Sequence, residues 1–330
     1  MRSRHRNLLC SYLHLMPALA SAPSAPRRLS RRRFLQISCG AAAGALGCAG
    51  YGRWETQQCE VVTQTIVLPR LPARFDGLRL AFLADTHHGP SVPLDYLRRV
   101  IAQTNALAPD LVALGGDYVQ RKWDDYERGL TKHFVRPGIE IFGALRARLG
   151  VFAVLGNHDT WEGHVAEIKA ALADSGVREL TDTGVWLEAT PGSASDATEG
   201  RLRLCGVNDL KTTKPGPAQL AAALGDATAA DAVVLLQHNP DYAETLRDER
   251  VGLVLSGHTH GGQIVLPWLG APIVPSAYGQ KYRAGLVRAP QTQVFVTRGV
   301  GTVFPPLRFR CPPEIALLIL RRGSDGAATS

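Results

Sequence analysis

The sequence predicts an α/β fold in which two sheets pack together and helices cover their outer faces. In the first half of the chain, short apolar runs alternate with segments of helical periodicity, which indicates strands followed by helices. The second half is richer in strand-like runs than in helices. Polar motifs rich in Asp, Asn and His directly follow several predicted strands. In α/β sheets this is where active-site residues collect.

In the first half we expect strands joined by helices. Residues 92–107 carry apolar side chains at helical spacing, whereas the neighbouring apolar runs are short. Residues 118–134 are polar and are expected to form a loop. The predicted strands are Val61–Leu68, Leu78–Asp85, Leu111–Leu114 and Val151–Leu155, and the predicted helices are Val92–Leu107, Ile139–Arg148 and Val165–Ala173.

In the second half a turn-rich connection at residues 190–200 separates two strand-like runs. Two further apolar strands, Ala232–Gln237 and Val251–Leu255, flank a short helix near Tyr242–Arg247. The runs expected to complete the second sheet are Ile264–Leu266, Gln293–Thr297 and Ile315–Leu320.

The positive charge of the chain lies almost entirely in its first 53 residues. The whole chain carries a net charge of +8. Residues 1–53 contain nine arginines and no acidic residue, so the remainder has 28 basic against 29 acidic residues. A basic nucleic-acid-binding surface is therefore not expected. We expect a leader or anchor at 1–53, one catalytic domain at 54–323 and a disordered tail at 324–330.

The leader contains an export pattern. The segment SRRRFLQ at residues 30–36 matches the twin-arginine signal, and a weakly apolar run extends to about Tyr51. We therefore expect the twin-arginine export machinery as a partner and an extracytoplasmic or periplasmic location, with membrane anchoring if the leader is retained. An ordinary N-terminal membrane anchor and a lipoprotein modified at Cys48 are the alternatives.

Five motifs bring metal-binding side chains together along the chain. They read LADTHHG (83–89), LGGDYV (114–119), LGNHDT (155–160), LLQHNP (235–240) and SGHTHGG (256–262). Asp, Asn and His can hold a pair of divalent cations, which clamp a phosphate and activate water. In the first motif, a spacing of two would put Asp85 and His87 on one side of an extended segment. The candidate metal ligands are Asp85, His87, Asp117, Asn157, His238, His258 and His260.

In this order the motifs resemble those of the calcineurin-like metallophosphoesterases, namely DxH, GD, GNH[DE], H and GHxH, over about residues 58–321. The resemblance implies a four-layer αββα sandwich with a dinuclear metal site at one sheet edge. It assigns Asp85, His87, Asp117 and His260 to the first ion, and Asp117, Asn157, His238 and His258 to the second. Manganese is the favoured metal, with zinc or iron as alternatives.

The resemblance also implies catalytic roles. His158 would contact the phosphoryl oxygen or protonate the leaving group, and Asp159 would orient His158. A hydroxide bridging the two ions would attack phosphorus in line.

Departures from the family pattern narrow the subgroup. The segment GDYVQR differs from the GDxxDRG of protein phosphatases, and Gln120 stands where purple acid phosphatases have a metal-binding Tyr. The later segments resemble bacterial phosphodiesterases that are membrane-associated or exported by the twin-arginine route. We therefore expect hydrolysis of a phosphodiester or pyrophosphate bond in a lipid-linked or envelope substrate, by analogy of the UDP-2,3-diacylglucosamine type. The alternatives are an envelope- or cell-wall-binding protein on the same metal fold with little turnover, and a nucleotide phosphodiesterase.

Three further features leave alternatives open. The apolar segment Val265–Tyr278 is either a lipid-facing lip beside the metals or a loop packed on its own core. Cys59, Cys205 and Cys311 are either buried thiols or include one disulfide pair. The candidate phosphate contacts are Lys281, Arg283, Arg298 and Arg308.

Overall fold

The computed structural model describes residues 30–68, 70–120, 132–161, 163–188 and 201–323. The chain divides into two units, Met1–Leu46 and the compact unit Gly47–Ser330. The predicted boundaries of leader, catalytic domain and tail stay predictions. The predicted loop at 190–200, the tail at 324–330 and most of the predicted loop at 118–134 lie outside the described residues.

The described helices vary widely in length. In chain order they are α1 (Arg31–Glu55), α2 (Leu94–Ala106), α3 (Lys132–Glu140), α4 (Asn157–Trp161), α5 (Val165–Asp174), α6 (Pro217–Leu224) and α7 (Tyr242–Thr245). Among the described helices, only α1 is long and apolar enough to cross a membrane, a test that a signal sequence near the N-terminus also passes.

The described strands are short and mostly buried. In chain order they are β1 (Glu60–Leu68), β2 (Leu78–Leu83), β3 (Leu111–Leu114), β4 (Val151–Ala153), β5 (Val177–Glu179), β6 (Thr183–Leu187), β7 (Leu202–Gly206), β8 (Ala232–Leu236), β9 (Val251–Ser256), β10 (Gly285–Arg288), β11 (Gln293–Val296) and β12 (Glu314–Arg322).

The strands form two mixed sheets. The first has the order β1-β12-β2-β3-β4-β5, in which β2 to β5 are parallel and β12 is antiparallel to β2. The second has the order β10-β11-β9-β8-β7-β6, in which β11, β9, β8 and β7 are parallel. Parallel strands end at the same edge of their sheet, so residues that follow them come close together.

The two sheets pack against each other and helices cover their outer faces. Strand β2 demonstrates how alternate side chains build these layers. Its Leu80 and Phe82 join the apolar core between the sheets, whereas Ala81 and Leu83 pack with residues of α2, α3 and α5. On the other side, residues of α6 and α7 pack with the outer face of the second sheet. The predicted α/β fold with two packed sheets is confirmed, and it is consistent with the calcineurin-like four-layer sandwich.

Three element predictions were wrong. Strand β12, which contains the predicted Ile315–Leu320, lies between β1 and β2 in the first sheet instead of completing the second. No strand forms at Ile264–Leu266, where only isolated bridges occur, because glycines and prolines surround this short run. The helix expected at Ile139–Arg148 ends early, since α3 stops at Glu140 and a 3₁₀ turn covers Ile141–Ala144.

Candidate metal centre

The metal-binding motifs follow five parallel strands, three from the first sheet and two from the second. Asp85 follows β2, Asp117 follows β3 and Asn157 follows β4. His238 follows β8, and His258 follows β9. The edges of the two sheets therefore bring these side chains to one place, although the residues are as much as 173 positions apart in the chain.

Backbone and side-chain hydrogen bonds join the motifs directly. The amide of Asp85 donates to the carbonyl oxygen of Gly116 at 2.9 Å. The amide of His258, from the other sheet, donates to both carboxylate oxygens of Asp85 at 3.1 Å. A Cβ at Gly257 would overlap that carboxylate, so only glycine allows this approach. The two sheets are thus fixed to each other at the site.

Five of the candidate ligands have a left-handed backbone. The φ angles are 56° for Asp85, 43° for His87, 57° for Asp117, 69° for His258 and 52° for His260. The extended segment expected for Asp85 and His87 is therefore wrong. Such conformations cost about 1–3 kcal/mol each for residues other than glycine and cluster at functional sites. Because five such residues lie together, the geometry that the site requires outweighs the local conformational preference of the backbone.

One group of ligand atoms surrounds the carboxylate of Asp85. Asp85, His87 and His260 each offer one atom within 4.8 Å of the others, and all three residues are buried. The Nε2 atom of His260 lies 3.4 Å from Oδ1 of Asp85, and the Nε2 atoms of His87 and His260 lie 3.1 Å apart. Two imidazoles and one carboxylate are a suitable donor set for a divalent transition metal.

A second group of ligand atoms surrounds Asp117. Asp117, His238 and His258 also offer atoms within 4.8 Å of one another. Oδ2 of Asp117 lies 3.1 Å from Nε2 of His238 and 3.6 Å from Nε2 of His87. The Nδ1 atom of His238 donates a hydrogen bond to the carbonyl oxygen of Gly115, 2.7 Å away, so Nε2 is the ring atom that would bind a metal once it has lost its proton. Asp117 therefore lies between the two groups.

Several buried polar atoms at the site have no hydrogen-bond partner. Among them are Oδ1 of Asn157, Nε2 of His238 and Nε2 of His258. Unpaired buried polar atoms are costly and rare, and a bound cation is one of the groups that satisfies them. The residues present therefore fit a divalent metal site, with Asn157 supplying a neutral oxygen.

Burial keeps most of the imidazoles neutral. It lowers the pKa of His87 and the pKa of His258 to about 3, and the pKa of His260 well below its usual range. A neutral ring keeps a lone pair for a metal ion. Burial would also lower the pKa of His238, but the adjacent Asp117 carboxylate raises it well above the usual value.

The pKa values of the Asp85 and Asp117 carboxyl groups are shifted in opposite directions. Burial raises the pKa of Asp85 to about 7. Burial also favours a higher pKa at Asp117, but the neighbouring imidazoles of His238, His158 and His87 together outweigh it and hold the pKa of Asp117 well below the usual value. Asp117 is therefore ionised at neutral pH and offers two oxygens between the two groups of ligands.

His158 is the most accessible imidazole of the motifs. It is half-buried, its ring centroid lies 4.8 Å from that of His87, and its Nδ1 has no partner. Its backbone amide donates to Oδ1 of Asp117 at 2.8 Å. This places His158 beside the candidate metal ligands, with a free ring nitrogen for another group.

The carboxylate of Asp159 is bonded to backbone amides in this structure. None of the described hydrogen bonds joins its carboxylate to His158. The two oxygens accept the backbone amides of Asp117, Tyr118 and Gly156 at 2.8–2.9 Å, and burial raises the pKa of Asp159 to about 7. Asp159 therefore ties the turn at Asp117 to the turn at Gly156.

Three of the four candidate phosphate contacts are engaged elsewhere. Lys281 pairs with Glu244, and Arg298 pairs with Glu314 at 2.5 Å. Arg308 is fully buried and donates to five backbone carbonyls. The acceptors are His260, Arg298, Gly299, Gly301 and Cys311. Arg308 therefore organises the loops around the site and does not face a substrate.

One buried carboxylate, Asp209, lies outside the five sequence motifs and was not predicted. Its side chain is fully buried, and its Oδ2 atom has no partner. Burial raises its pKa, and the nearby His238 opposes the rise. Asp209 comes three residues after β7, the strand that lies next to β8 in the second sheet. An acidic residue just after an apolar strand was the available signal.

The cysteines are thiols throughout the described part of the chain. Cys205 and Cys311 are buried and Cys59 is half-buried, and none of them is in a disulfide. The interpretation as buried thiols is therefore favoured over one disulfide. Burial raises the pKa of Cys59 and of Cys205 to about 12, so neither is a thiolate at neutral pH.

Comparisons with known proteins agree with this site. The profile of the calcineurin-like phosphoesterase family matches residues 78–262. An uncharacterised metallophosphoesterase of Bacillus subtilis, YkuE, is 33% identical over 89% of this chain and 99% of its own length. The phosphodiesterase YaeI of Escherichia coli is 33% identical over 88% of this chain and 99% of its own.

A third relative has a named lipid-related substrate. The UDP-2,3-diacylglucosamine pyrophosphatase LpxG of Chlamydia trachomatis is 30% identical over 76% of this chain and 86% of its own length. Together with the family profile and the buried Asp and His clusters, these relatives decide the class of protein. The chain belongs to the calcineurin-like phosphoesterase family and is a hydrolase acting on phosphoric esters.

Proposed function

We propose that the protein hydrolyses a phosphodiester or pyrophosphate bond with two divalent metal ions, preferably manganese. The first ion would be held by Asp85, His87, Asp117 and His260, and the second by Asp117, Asn157, His238 and His258. The observation that carries the proposal is that the ionised Asp117 lies between two groups of buried ligand atoms. A carboxylate with two oxygens can serve both ions at once.

The chain's own residues divide the remaining work. When bound, a pair of divalent cations polarises a phosphoryl oxygen and lowers the pKa of water. His158, with its unpaired Nδ1 and greater exposure, would contact the phosphoryl group or give a proton to the leaving oxygen. Asp159 holds the Asp117 turn in place through three backbone amides.

We also propose that the substrate is lipid-linked or part of the cell envelope and that the chain uses the twin-arginine route. Helix α1, which could cross a membrane by length and composition, begins within the SRRRFLQ segment. The name of the relative LpxG supports a pyrophosphate bond in a lipid-linked molecule as one candidate. The leader would then either be removed or hold the enzyme at the membrane surface.

The direct test is hydrolysis of a chromogenic phosphodiester and monoester by the purified full chain in detergent, with added Mn²⁺. We expect metal-dependent diester hydrolysis that falls about 100-fold or more in His158→Ala, since acid–base catalysis contributes about 10²–10⁴-fold. The matched control is His133→Ala, because His133 is exposed on α3. Its rate should equal that of the wild type.

The same assay separates the alternatives. Two bound ions per chain with no hydrolysis of any phosphoester would support the envelope-binding alternative. Full activity in His158→Ala would contradict the role assigned to that side chain.

A further inference from the structure

Two loops beside the metal centre expose a group of large apolar side chains. In the 266–274 loop, Trp268 is 104% exposed, Leu269 66% and Ile273 78%, and Leu266 is also exposed. In the 303–305 loop, Phe304 is 87% exposed. We refer to these five residues as the apolar lip. Contiguous exposed apolar surface of this kind marks a site that contacts another molecule or a membrane.

Trp268 combines two unfavourable features. It lies in a tight turn closed by hydrogen bonds between Leu266 and Gly270 at 2.8 and 3.1 Å. Its φ angle is 62°, which is uncommon for a bulky residue, and its side chain is fully exposed. The turn therefore presents the whole indole to the surroundings of the protein, where an apolar partner would cover it.

The two loops enclose an apolar cavity that reaches the metal centre. Gln263, three residues before the first loop, fixes the second, because its side-chain oxygen accepts the amide of Val303 at 2.7 Å and its side-chain nitrogen donates to the Val303 and Pro305 carbonyls. The cavity has a volume of about 270 Å³, and Ile273, Phe304 and His260 are among its lining residues. An apolar cavity of about 150 Å³ in another protein binds benzene, so this one has room for part of an alkyl chain.

The last turns of α1 are attached next to the lip. The amide of Arg308 donates to the carbonyl of Gly52 at 3.0 Å. The carboxylate of Glu55 accepts the amides of Arg310 and Cys311 at 2.9 and 2.7 Å. This attachment lies within seven residues of Phe304. Residues 52 and 55 of the catalytic unit are therefore fixed to the segment that follows Phe304.

We propose that the apolar lip inserts into a lipid bilayer and that the cavity takes an acyl chain of a membrane lipid whose phosphoester reaches the metal centre. The lip supplies the exposed tryptophan and aliphatic groups that favour the membrane interface. Phe304 of the lip and the candidate ligand His260 both line the cavity, so an acyl chain bound in it would contact both. The acyl-chain part rests on the proposed phosphodiesterase function, whereas insertion of the lip does not.

Insertion can be measured without turnover. The full chain is reconstituted into vesicles of phosphatidylethanolamine and phosphatidylglycerol that contain a brominated phosphatidylcholine, which quenches nearby tryptophans. We expect quenching that falls clearly in Trp268→Phe and is unchanged in the matched variant Trp186→Phe, because Trp186 packs against Arg201 in the second sheet. Equal quenching in the wild type and Trp268→Phe, or a dimer that covers the lip in the vesicles, would overturn insertion.

The cavity is tested by substrate chain length. The probes are ethyl and octyl p-nitrophenyl phosphodiesters, which release the same chromogenic product. We expect kcat/KM of the wild type to be about tenfold or more higher for the octyl ester, since each methylene that leaves water adds affinity. Val303→Phe, which fills the cavity, should bring the octyl-to-ethyl ratio close to one, whereas Val67→Ser, on exposed β1 surface, should keep it.

The outcomes separate the two proposals. A wild-type ratio near one with good ethyl ester turnover would overturn the acyl-chain site and keep the phosphodiesterase. Absence of turnover with either ester would contradict the proposed function and, with it, the acyl-chain site, while the quenching result still decides insertion. An unchanged ratio in Val303→Phe that binds the wild-type amount of Mn²⁺ would also overturn the acyl-chain site.

Discussion

Individual residues at this site hold conformations that the local sequence disfavours. Asp85, His87 and Asp117 have left-handed backbones, as do His258 and His260. Interactions from elsewhere in the chain must hold them there. The fully buried Arg308 is the clearest example, because its guanidinium joins the carbonyls of the 298–301 loop to that of His260. The 298–301 loop in turn bonds to Asp85, through the amide of Gly301 at 2.7 Å.

The first prediction concerns this arginine. In Arg308→Lys the ammonium cannot reach all five carbonyls. The 298–301 loop, which bonds to Asp85, is then no longer held to the carbonyl of His260. We expect Mn²⁺ affinity to fall roughly 10–100-fold, as is typical when groups behind the ligands are changed. Competition titration with a chelating dye measures this. The matched control Arg310→Lys, at an exposed neighbour, should bind Mn²⁺ like the wild type, and equal affinity in Arg308→Lys would contradict the account.

The sequence predicted candidate ligands where the residues that act together are close in the chain. The spacing of His258 and His260, or of Asn157 and His158, could be read directly as candidate ligand motifs. Arg308 could only be guessed at as a phosphate contact, because its role depends on carbonyls from separate segments of the chain. The three backbone amides that bond to Asp159 could not be predicted either, because no motif records them.

Among the elements, the strands β2, β3, β4, β8 and β9 that precede the ligand motifs were predictable, whereas β5 and the sheet partner of β12 were not. A continuous apolar run such as Ile315–Leu320 indicates a strand buried on both faces but carries no information about its neighbours. Its pairing with β1 and β2 joins residues more than 230 positions apart in the chain. The local apolar pattern therefore predicts that a strand forms, whereas long-range packing determines which strands it pairs with.

The second prediction belongs to helix α1. Glu55 is buried, and its two oxygens accept two backbone amides that have no other described partner. In Glu55→Gln one acceptor becomes a donor, so a buried amide is left unpaired at a cost of about 1–3 kcal/mol. We expect the unfolding midpoint of the full chain to fall by several degrees.

Differential scanning fluorimetry in detergent checks the Glu55 prediction. Glu249→Gln, at an exposed position, is the matched control and should unfold at the wild-type temperature. A midpoint in Glu55→Gln equal to that of the wild type would show that the attachment of α1 to residues 310–311 adds no stability.

At the scale of the whole molecule, the candidate metal centre is where the two sheets meet. Its ligands follow β2, β3 and β4 on one side and β8 and β9 on the other. Neither sheet alone offers all of them. The same layer arrangement leaves the 266–274 and 303–305 loops at the rim of the site. One architecture therefore accounts for both the ligand set and the apolar cavity that opens beside it.

The number of metal ions bound per chain tests whether Asp117 is shared by two ions. The full chain is loaded with Mn²⁺, passed through a desalting column and measured by inductively coupled plasma mass spectrometry. We expect two ions per wild-type chain and at most one in Asp117→Asn, because Asp117 lies between both groups of ligands. Asp95→Asn, an exposed control on α2, should keep two. One ion or none in the wild type, or two in Asp117→Asn, would contradict the account.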